Sequence, residues 1–439
     1  HTICGGSGIE RADRGYFLSY GNAGLRGYGG DSHGFLIGRI LYEFNGKFCV
    51  MDVLRISDAL FLQEERGKYS MKKILVGFIM DGKAGGIDRY LLNFLEIVSR
   101  EDIRIDFLTN RIDQELKERL AAYESGLYEI ADLKHPVSQY RQVKELIRRQ
   151  RYDVVYLNIS TAIDFVAAAA AFRMHVKTRI IHSHSSGNDC ESSLKRYIFN
   201  SIHAICRCFL YRFATEYFGC SRKAGEWLFP GHVVRLDSFR VIYNAADREK
   251  FTYRENIRYE VREELGLHEK FIIGHIGNFC YQKNHRFLME VFRETLRRRE
   301  DAALLLAGDG VRFEETKKLA EDMGIAERVL FLGRRSDADR LYQAMDVFLL
   351  PSNFEGLPIV GIEAQSAGLP CMMSDRITRE AKITKDCIFL PVKKKNVKHW
   401  ASVVSKLNRA RRKAEFLESA GNYDLRMQEV QMREIFRKI

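Results

Sequence analysis

Residues 353–374 read NFEGLPIVGIEAQSAGLPCMMS, and the fold class turns on how this stretch breaks. The apolar run before it, 346–350 (DVFLL), has the unbroken hydrophobicity of a strand buried on both faces of a parallel sheet. Pro351 and Ser352 end that strand, and residues 354–358 (FEGLP) predict a tight turn. Pro358 suits the first turn of a helix, where its missing N–H costs nothing. The helix is expected to reach about Ala367, with Gly368 closing it in the left-handed conformation and residues 370–374 opening the next strand. Such a turn presents free backbone N–H groups and the positive end of a helix dipole at the carboxyl edge of a sheet, a site for phosphate or pyrophosphate. Glu355 lies in the turn and Glu363 in the helix. Eight helical residues rise about 12 Å, so one carboxylate is expected near each end of a ligand as long as a nucleoside diphosphate.

The same strand, turn and helix order runs through most of the chain. From Met71 apolar strands alternate with helical patterns, which predicts an α/β protein with two doubly wound, Rossmann-like domains facing a cleft. The first domain is expected over 71–244, opening with the strand ILVGFIM at 74–80. The second covers 245–422, with 245–267 as the connection. A closing helix is expected over 423–439. Residues 1–70 differ: the first residue is His, twelve of the 33 glycines lie before residue 47, and Met71-Lys72-Lys73 has the look of a natural start. They are expected to be an appended or disordered extension, with a genuine small extension that forms a little structure over 36–62 as the alternative.

Of the 439 residues 46% are apolar, ample for folded cores, and the formal charge is +12. That balance favours an anionic substrate, an anionic membrane face or nucleic acid as partner. No zinc-finger or RNA-binding motif is present, so no nucleic-acid partner is expected. The nine cysteines form no Cys-x-x-Cys pair, and free thiols in a reducing cytoplasm account for them. No apolar run reaches membrane-spanning length. Residues 194–213 (LKRYIFNSIHAICRCFLYRF) combine Lys195, Arg196, Arg207 and Arg212 with large apolar residues. The pattern fits a helix on an anionic membrane surface and equally a core helix with a basic rim.

The spacing EGLPIVGIEAQSAGLP resembles the Glu-x7-Glu motif of the retaining nucleotide-sugar glycosyltransferases of family 4, which have the GT-B fold. The resemblance covers about Met71 to the end and is most like capsular and exopolysaccharide enzymes. It implies that Glu363 holds the ribose of a nucleoside diphosphate sugar and that Glu355 lies by the sugar and its phosphate. Gly356, Leu357 and Pro358 would line the donor. The turn GNFCYQKN at 277–284 also follows a strand and precedes a helix. Gly277, Asn278 and Lys283 match the family's donor loop, with Lys283 on the leaving pyrophosphate. The family usually has Arg where this chain has Asn278, which removes one cation of the usual clamp. Gly85 and Gly86 resemble its glycine-rich loop, and Gly308 lies in a turn that borders the base. Arg334, just past a strand at 329–332, is a further candidate to face the base. Asp88 and Arg89 follow and are expected as solvated helix charges, with contact to the acceptor as the alternative. In HSHSS at 182–186, His184 is the expected neighbour of the transferred sugar, and strand alternation is expected to turn His182 back toward the sheet. Catalytic residues are therefore His184, Lys283 and Glu355. No Asp-x-Asp pair faces the motif, so no metal and no cofactor beyond the donor substrate is implied. The acceptor would be a glycan or lipid-linked glycan at the inner face of the plasma membrane. The alternatives are a non-catalytic nucleotide-sugar-binding subunit, which the missing Arg favours, and a GT-B enzyme of another reaction, an inverting transferase or epimerase.

Overall fold

The computed structural model describes residues 71–82, 85–99 and 102–439, with the backbone of two strands nearer the start. The chain divides into two compact units, His1–Met71 and Lys72–Ile439. In the first, β1 (Gly38–Phe44) and β2 (Lys47–Val53) pair antiparallel, with Phe44 opposite Lys47. The remainder of the expectation for residues 1–70 lies outside the described residues, as do Lys83 and Ala84 in the loop before Gly85.

The larger unit contains two wholly parallel sheets. The first lobe begins with β3 (Lys72–Gly77), α1 (Gly86–Val98), β4 (Ile103–Thr109) and β5 (Leu127–Glu129). It continues through β6 (Val154–Ile159), β7 (Thr178–Ser183), α2 (Ser193–Leu210), β8 (Glu216–Gly219) and β9 (Phe239–Val241). Its strand order is β5-β4-β3-β6-β7-β8-β9. The second lobe has α3 (Glu255–Glu264), β10 (Phe271–Ile276), α4 (His285–Leu296), β11 (Ala302–Ala307) and β12 (Val329–Phe331). After these come β13 (Val347–Leu350), α5 (Ile359–Ser366), β14 (Cys371–Ser374) and β15 (Cys387–Leu390), in the order β12-β11-β10-β13-β14-β15. The two doubly wound sheets read from the sequence are both present.

Their centres are dry on both faces. Every residue of β6, β11 and β13 is buried, as helices on either side of a parallel sheet require. In both sheets the order reverses beside the first strand of the lobe, β3 against β6 and β10 against β13. Loops leaving the carboxyl ends there splay apart and open a crevice. The last helix, α6 (Leu425–Lys438), lies against α1: Phe436 meets Phe94 edge-on with centroids 5.0 Å apart, and Met432 and Ile435 share its apolar cluster.

The stretch read as a connection, 245–267, in fact carries α3. Its pattern is weak because Ile257 and Val261 are its only aliphatic residues; its attachment is electrostatic instead. Asp346, at the foot of β13, is fully buried and accepts the Ile272 N–H at 2.7 Å. Arg258 reaches its other oxygen at 2.5 Å and Arg262 lies 3.4 Å away. Burial pushes the Arg262 pKa down to about 10. Taking away the carboxylate would strand two buried guanidiniums side by side. Asp346→Ala is therefore expected to cost about 3–5 kcal/mol of folding free energy, read as an earlier midpoint in urea unfolding. An unchanged midpoint would show that the cluster contributes nothing net.

Candidate active site

The two turns singled out in the sequence, seventy residues apart, form one structure. After β13 the chain turns through 351–358 into α5; after β10 it turns through 277–284 into α4. Asn353 donates its N–H to the Gln282 carbonyl at 2.7 Å and its side-chain amide to the Tyr281 carbonyl at 2.7 Å. Asn284, itself left-handed at φ 57°, donates to the Pro351 carbonyl at 3.1 Å. Glu355 is 5% exposed and each of its oxygens is occupied. Lys283 Nζ lies 2.7 Å and Ser352 Oγ 2.8 Å from Oε1, and Gln282 Nε2 lies 2.8 Å from Oε2. Lys283 and Glu355 are thus brought together as a partly buried ion pair.

Glycines set how closely these loops approach. Gly308 has φ +142°, and a Cβ there would come 2.1 Å from the Gly277 carbonyl oxygen. The 308–310 turn therefore backs the 277 turn rather than standing apart from it. A Cβ on Gly277 would meet the Lys283 stem at 3.0 Å. Gly356 faces the first lobe: a Cβ would fall 2.3 Å from the His184 carbonyl oxygen. Asn278, in the position of the missing cation, is exposed.

The turn before α5 is tied to the first lobe through three successive carbonyls. Its three carbonyls, Glu355, Gly356 and Leu357, accept hydrogen bonds from Ser186 Oγ (2.6 Å), Ser221 Oγ (2.7 Å) and Asn244 Nδ2 (2.7 Å) of the first lobe. The Leu357 N–H faces the buried Cys220 thiol, whose pKa burial raises. Pro358 is the N-cap of α5 rather than its first helical residue, while Gly368 has the expected positive φ, +69°.

Glu363 is 1% exposed, with Tyr342 OH donating to Oε2 at 3.1 Å. Across the cleft Arg89 Nη1 lies 2.7 Å from Oε1. Burial raises the Glu363 carboxyl above the usual carboxylate range, and the Arg89 charge opposes that rise. Asp88 is not a solvated helix charge, whereas Arg89 is exposed and at the same time paired with Glu363. Asp88 is buried and accepts the N–H groups of Met80, Asp81 and Gly82 at 2.8–3.0 Å, which closes the loop after β3. That loop needs a buried acceptor because its amides have no strand partner. Arg334, a candidate for a ligand base, instead reaches Asp81 at 3.3 Å. Gly85 caps α1 with φ +103°, and a Cβ on Gly86 would touch the Ile359 side chain at 3.7 Å, so the first turns of α1 and α5 are in contact.

The two histidines lie on the same side of the strand, their ring centroids 4.0 Å apart. The expectation that His182 turns away from His184 fails on periodicity, since residues two apart on a strand share a face. Ser183 is the residue that turns away, donating to the Ala224 carbonyl at 2.6 Å. His182 is fully buried and bonded to Tyr156 OH at 2.7 Å, and Tyr156 OH meets Tyr90 OH at 2.7 Å. His184, partly exposed, is bonded to Asn158 at 2.8 Å. Burial holds its pKa down to about 3, so it is a neutral ring near pH 7.

The site is therefore a narrow seam. The Lys283–Glu355 pair lies on one flank, the Arg89–Glu363 pair on the other, and the His184 loop packs against Gly356 between the lobes. Tyr342, Gln282 and the three carbonyl-binding side chains went unremarked as site residues. Gln282, adjacent to Lys283, and Ser186, inside HSHSS, had a local signal.

Residues 84–250 match the family described as Glycosyltransferase Family 4, and residues 258–423 match Glycosyl transferases group 1. The protein EpsF of Bacillus subtilis is 28% identical over 80% of this chain and 91% of its own. The Escherichia coli UDP-Gal:alpha-D-GlcNAc-diphosphoundecaprenol alpha-1,3-galactosyltransferase is 27% identical over 66% of this chain and 76% of its own. Among solved structures, Anabaena HepE in complex with UDP and glucose superposes with a TM-score of 0.64 at 16% identity, covering 84% of this chain and 100% of that one.

Proposed function

The chain is a glycosyltransferase of the GT-B fold, one lobe matched by family 4 and the other by group 1, and from that premise we propose that it transfers a sugar from a nucleoside diphosphate to a lipid-linked glycan with retention, in surface polysaccharide synthesis. The observation that carries the proposal is the pairing of Lys283 with Glu355 at the amino end of α5, beside a second buried carboxylate, Glu363. In the proposed complex Glu363 accepts the ribose hydroxyls, Lys283 and the α5 dipole meet the diphosphate, and Glu355 and the neutral His184 ring hold sugar hydroxyls. Gly85 and Gly86 at the end of α1 let the backbone come close to the donor. Gly277, Gly308, Gly356, Leu357 and Pro358 shape the donor wall. Lys283 and the helix end, rather than a metal, stabilise the leaving group.

Support for a nucleoside diphosphate comes from HepE, whose structure holds UDP. Support for a lipid-linked acceptor comes from the name of the E. coli relative, and retention from the Glu-x7-Glu resemblance. The inner face of the plasma membrane is the proposed place of action. Among the described residues no helix is long and apolar enough to cross a membrane.

The purified chain, offered a panel of nucleoside diphosphate sugars, is expected to release nucleoside diphosphate from one of them in the presence of a membrane lipid extract. The product anomer, read by NMR, is expected to match the donor. An inverted product would remove retention. Binding without release would favour the non-catalytic reading that Asn278 suggests.

A further inference from the structure

We propose that the outer face of α2 docks the protein on an anionic lipid surface beside the cleft. Six exposed large apolar side chains lie on this one helix: Leu194, Tyr197, Ile198, Phe199, Ile202 and Ile205, with Tyr197 73% and Ile205 67% exposed. Leu194, Tyr197, Ile198, Ile202 and Ile205 recur at intervals of three and four and so form a single stripe. The opposite stripe, His203, Cys206 and Leu210, is buried. His203 stacks on Trp227 at 3.9 Å, and its Nδ1 accepts the Ala162 N–H at 3.0 Å. The helix is therefore fixed by its inner face, and its apolar outer face is available to a partner. A contiguous exposed apolar stripe on a folded helix marks a binding surface.

The charges choose the partner. From Ser193 to Leu210 there is no Asp or Glu, while Lys195 is exposed on the flank of the stripe. The whole chain carries +12. Two copies meeting through this face would bring lysines together with no carboxylate on either helix to answer them. Anionic headgroups over hydrocarbon answer both the charge and the stripe.

The position gives the contact a use. The Arg196 guanidinium of α2 lies 3.7 Å over the Tyr281 ring, and the residues just before α2 accept from the same turn. Asp189 takes the Gln282 N–H at 2.6 Å and Glu191 the Tyr281 N–H at 3.0 Å. The stripe thus starts beside the turn that holds Lys283, and a bilayer against it would present a lipid-linked acceptor next to the cleft. That last use rests on the function proposed above; the docking itself does not.

The full chain is to be sedimented with vesicles of phosphatidylcholine alone and with about a third phosphatidylglycerol. At least about tenfold more protein is expected on the anionic vesicles. Ile198→Glu with Ile205→Glu is expected to abolish binding without moving the melting temperature, since both positions face outward. Lys195→Glu is expected to lower binding to anionic vesicles only. Equal binding by wild type and the double variant overturns the proposal, as does no binding by either. A dimer in light scattering that the double variant dissolves also overturns it and gives the face to a second copy. Donor turnover in solution tests the functional reading separately, so either can fail while the other stands.

Discussion

Lys283→Ala is expected to lower kcat by about a hundredfold or more while changing the donor KM by less than about threefold. The magnitude follows from what the ammonium faces. Negative charge grows on the diphosphate only as the glycosidic bond breaks, so a fixed cation there stabilises the transition state more than bound donor. Lys283 is well placed for this: its side chain is 13% exposed and its stem packs under Gly277. Asn278 can donate a hydrogen bond but carries no charge, so Lys283 has no cationic neighbour at that position to share its role. The competing explanation is that Lys283 merely neutralises the buried Glu355. The double variant Lys283→Ala with Glu355→Gln separates the two. Neutralisation predicts that the second change restores activity and melting temperature together. A role on the leaving group predicts that stability recovers while turnover stays well below that of Glu355→Gln alone. Wild-type kcat in Lys283→Ala would remove the residue from the mechanism.

The parts of this site that were legible in the sequence are those that a strand, a turn and a helix encode locally. Buried parallel strands read as unbroken apolar runs, hence the clarity of 346–350 and of β11, AALLLA. The turns at 277–284 and 351–358 stand at strand ends, where both sheets deliver their loops to one crevice, so their meeting followed from topology. What was not legible depends on how one lobe faces the other. Ser186, Ser221 and Asn244 hold three successive carbonyls from more than a hundred residues away, and although Ser186 sits in HSHSS, nothing around any of the three announces that partner. Arg89 looks like any charge in a helix's first turns until Glu363 is set opposite it. Asp88 has the same ordinary appearance, yet its carboxylate gathers three amides. The misplacement of His182 is of another kind, because strand period alone puts it beside His184.

These cross-lobe contacts also bear on how the cleft works. Glu363 is tied to the first lobe by a guanidinium that is 46% exposed, while the carboxylate itself is buried. A half-exposed ion pair contributes little to holding two lobes together. The two hydroxyl bonds and the one amide bond to the carbonyls of 355–357 are neutral and largely withdrawn from water, and each of the three contributes about 1 kcal/mol by ordinary accounting. The backbone of the turn before α5 is therefore one place where the lobes are registered, beside the Asp189 and Glu191 bonds to the N–H groups of Gln282 and Tyr281. The charged groups on either side of that turn, Lys283 with Glu355 and Arg89 with Glu363, are paired with one another, so in the proposed function a donor would exchange its own polar groups for these pairs.

Glu363→Gln is expected to weaken donor binding by about ten- to a hundredfold, the loss of two hydrogen bonds to a charged acceptor, with kcat at saturating donor little changed. Gln keeps the shape and still accepts from Tyr342 through its carbonyl, so folding is spared. The pH dependence makes the assignment sharper. Only the ionised carboxylate accepts both ribose hydroxyls. Burial raises its pKa, so the acid form persists to higher pH than in an exposed glutamate. Binding is then full above that raised pKa and is lost as pH falls through it. The Arg89 charge lowers the pKa, so Arg89→Ala should move the acid limb of donor binding to higher pH. In Glu363→Gln this limb should vanish, because no titrating group is left at the ribose. Calorimetric titration of the donor from pH 5 upward reads all three proteins. Unchanged affinity in Glu363→Gln, or a limb that stays put in Arg89→Ala, would place the ribose elsewhere. The buried carboxylate would then serve only to pin α1 against α5.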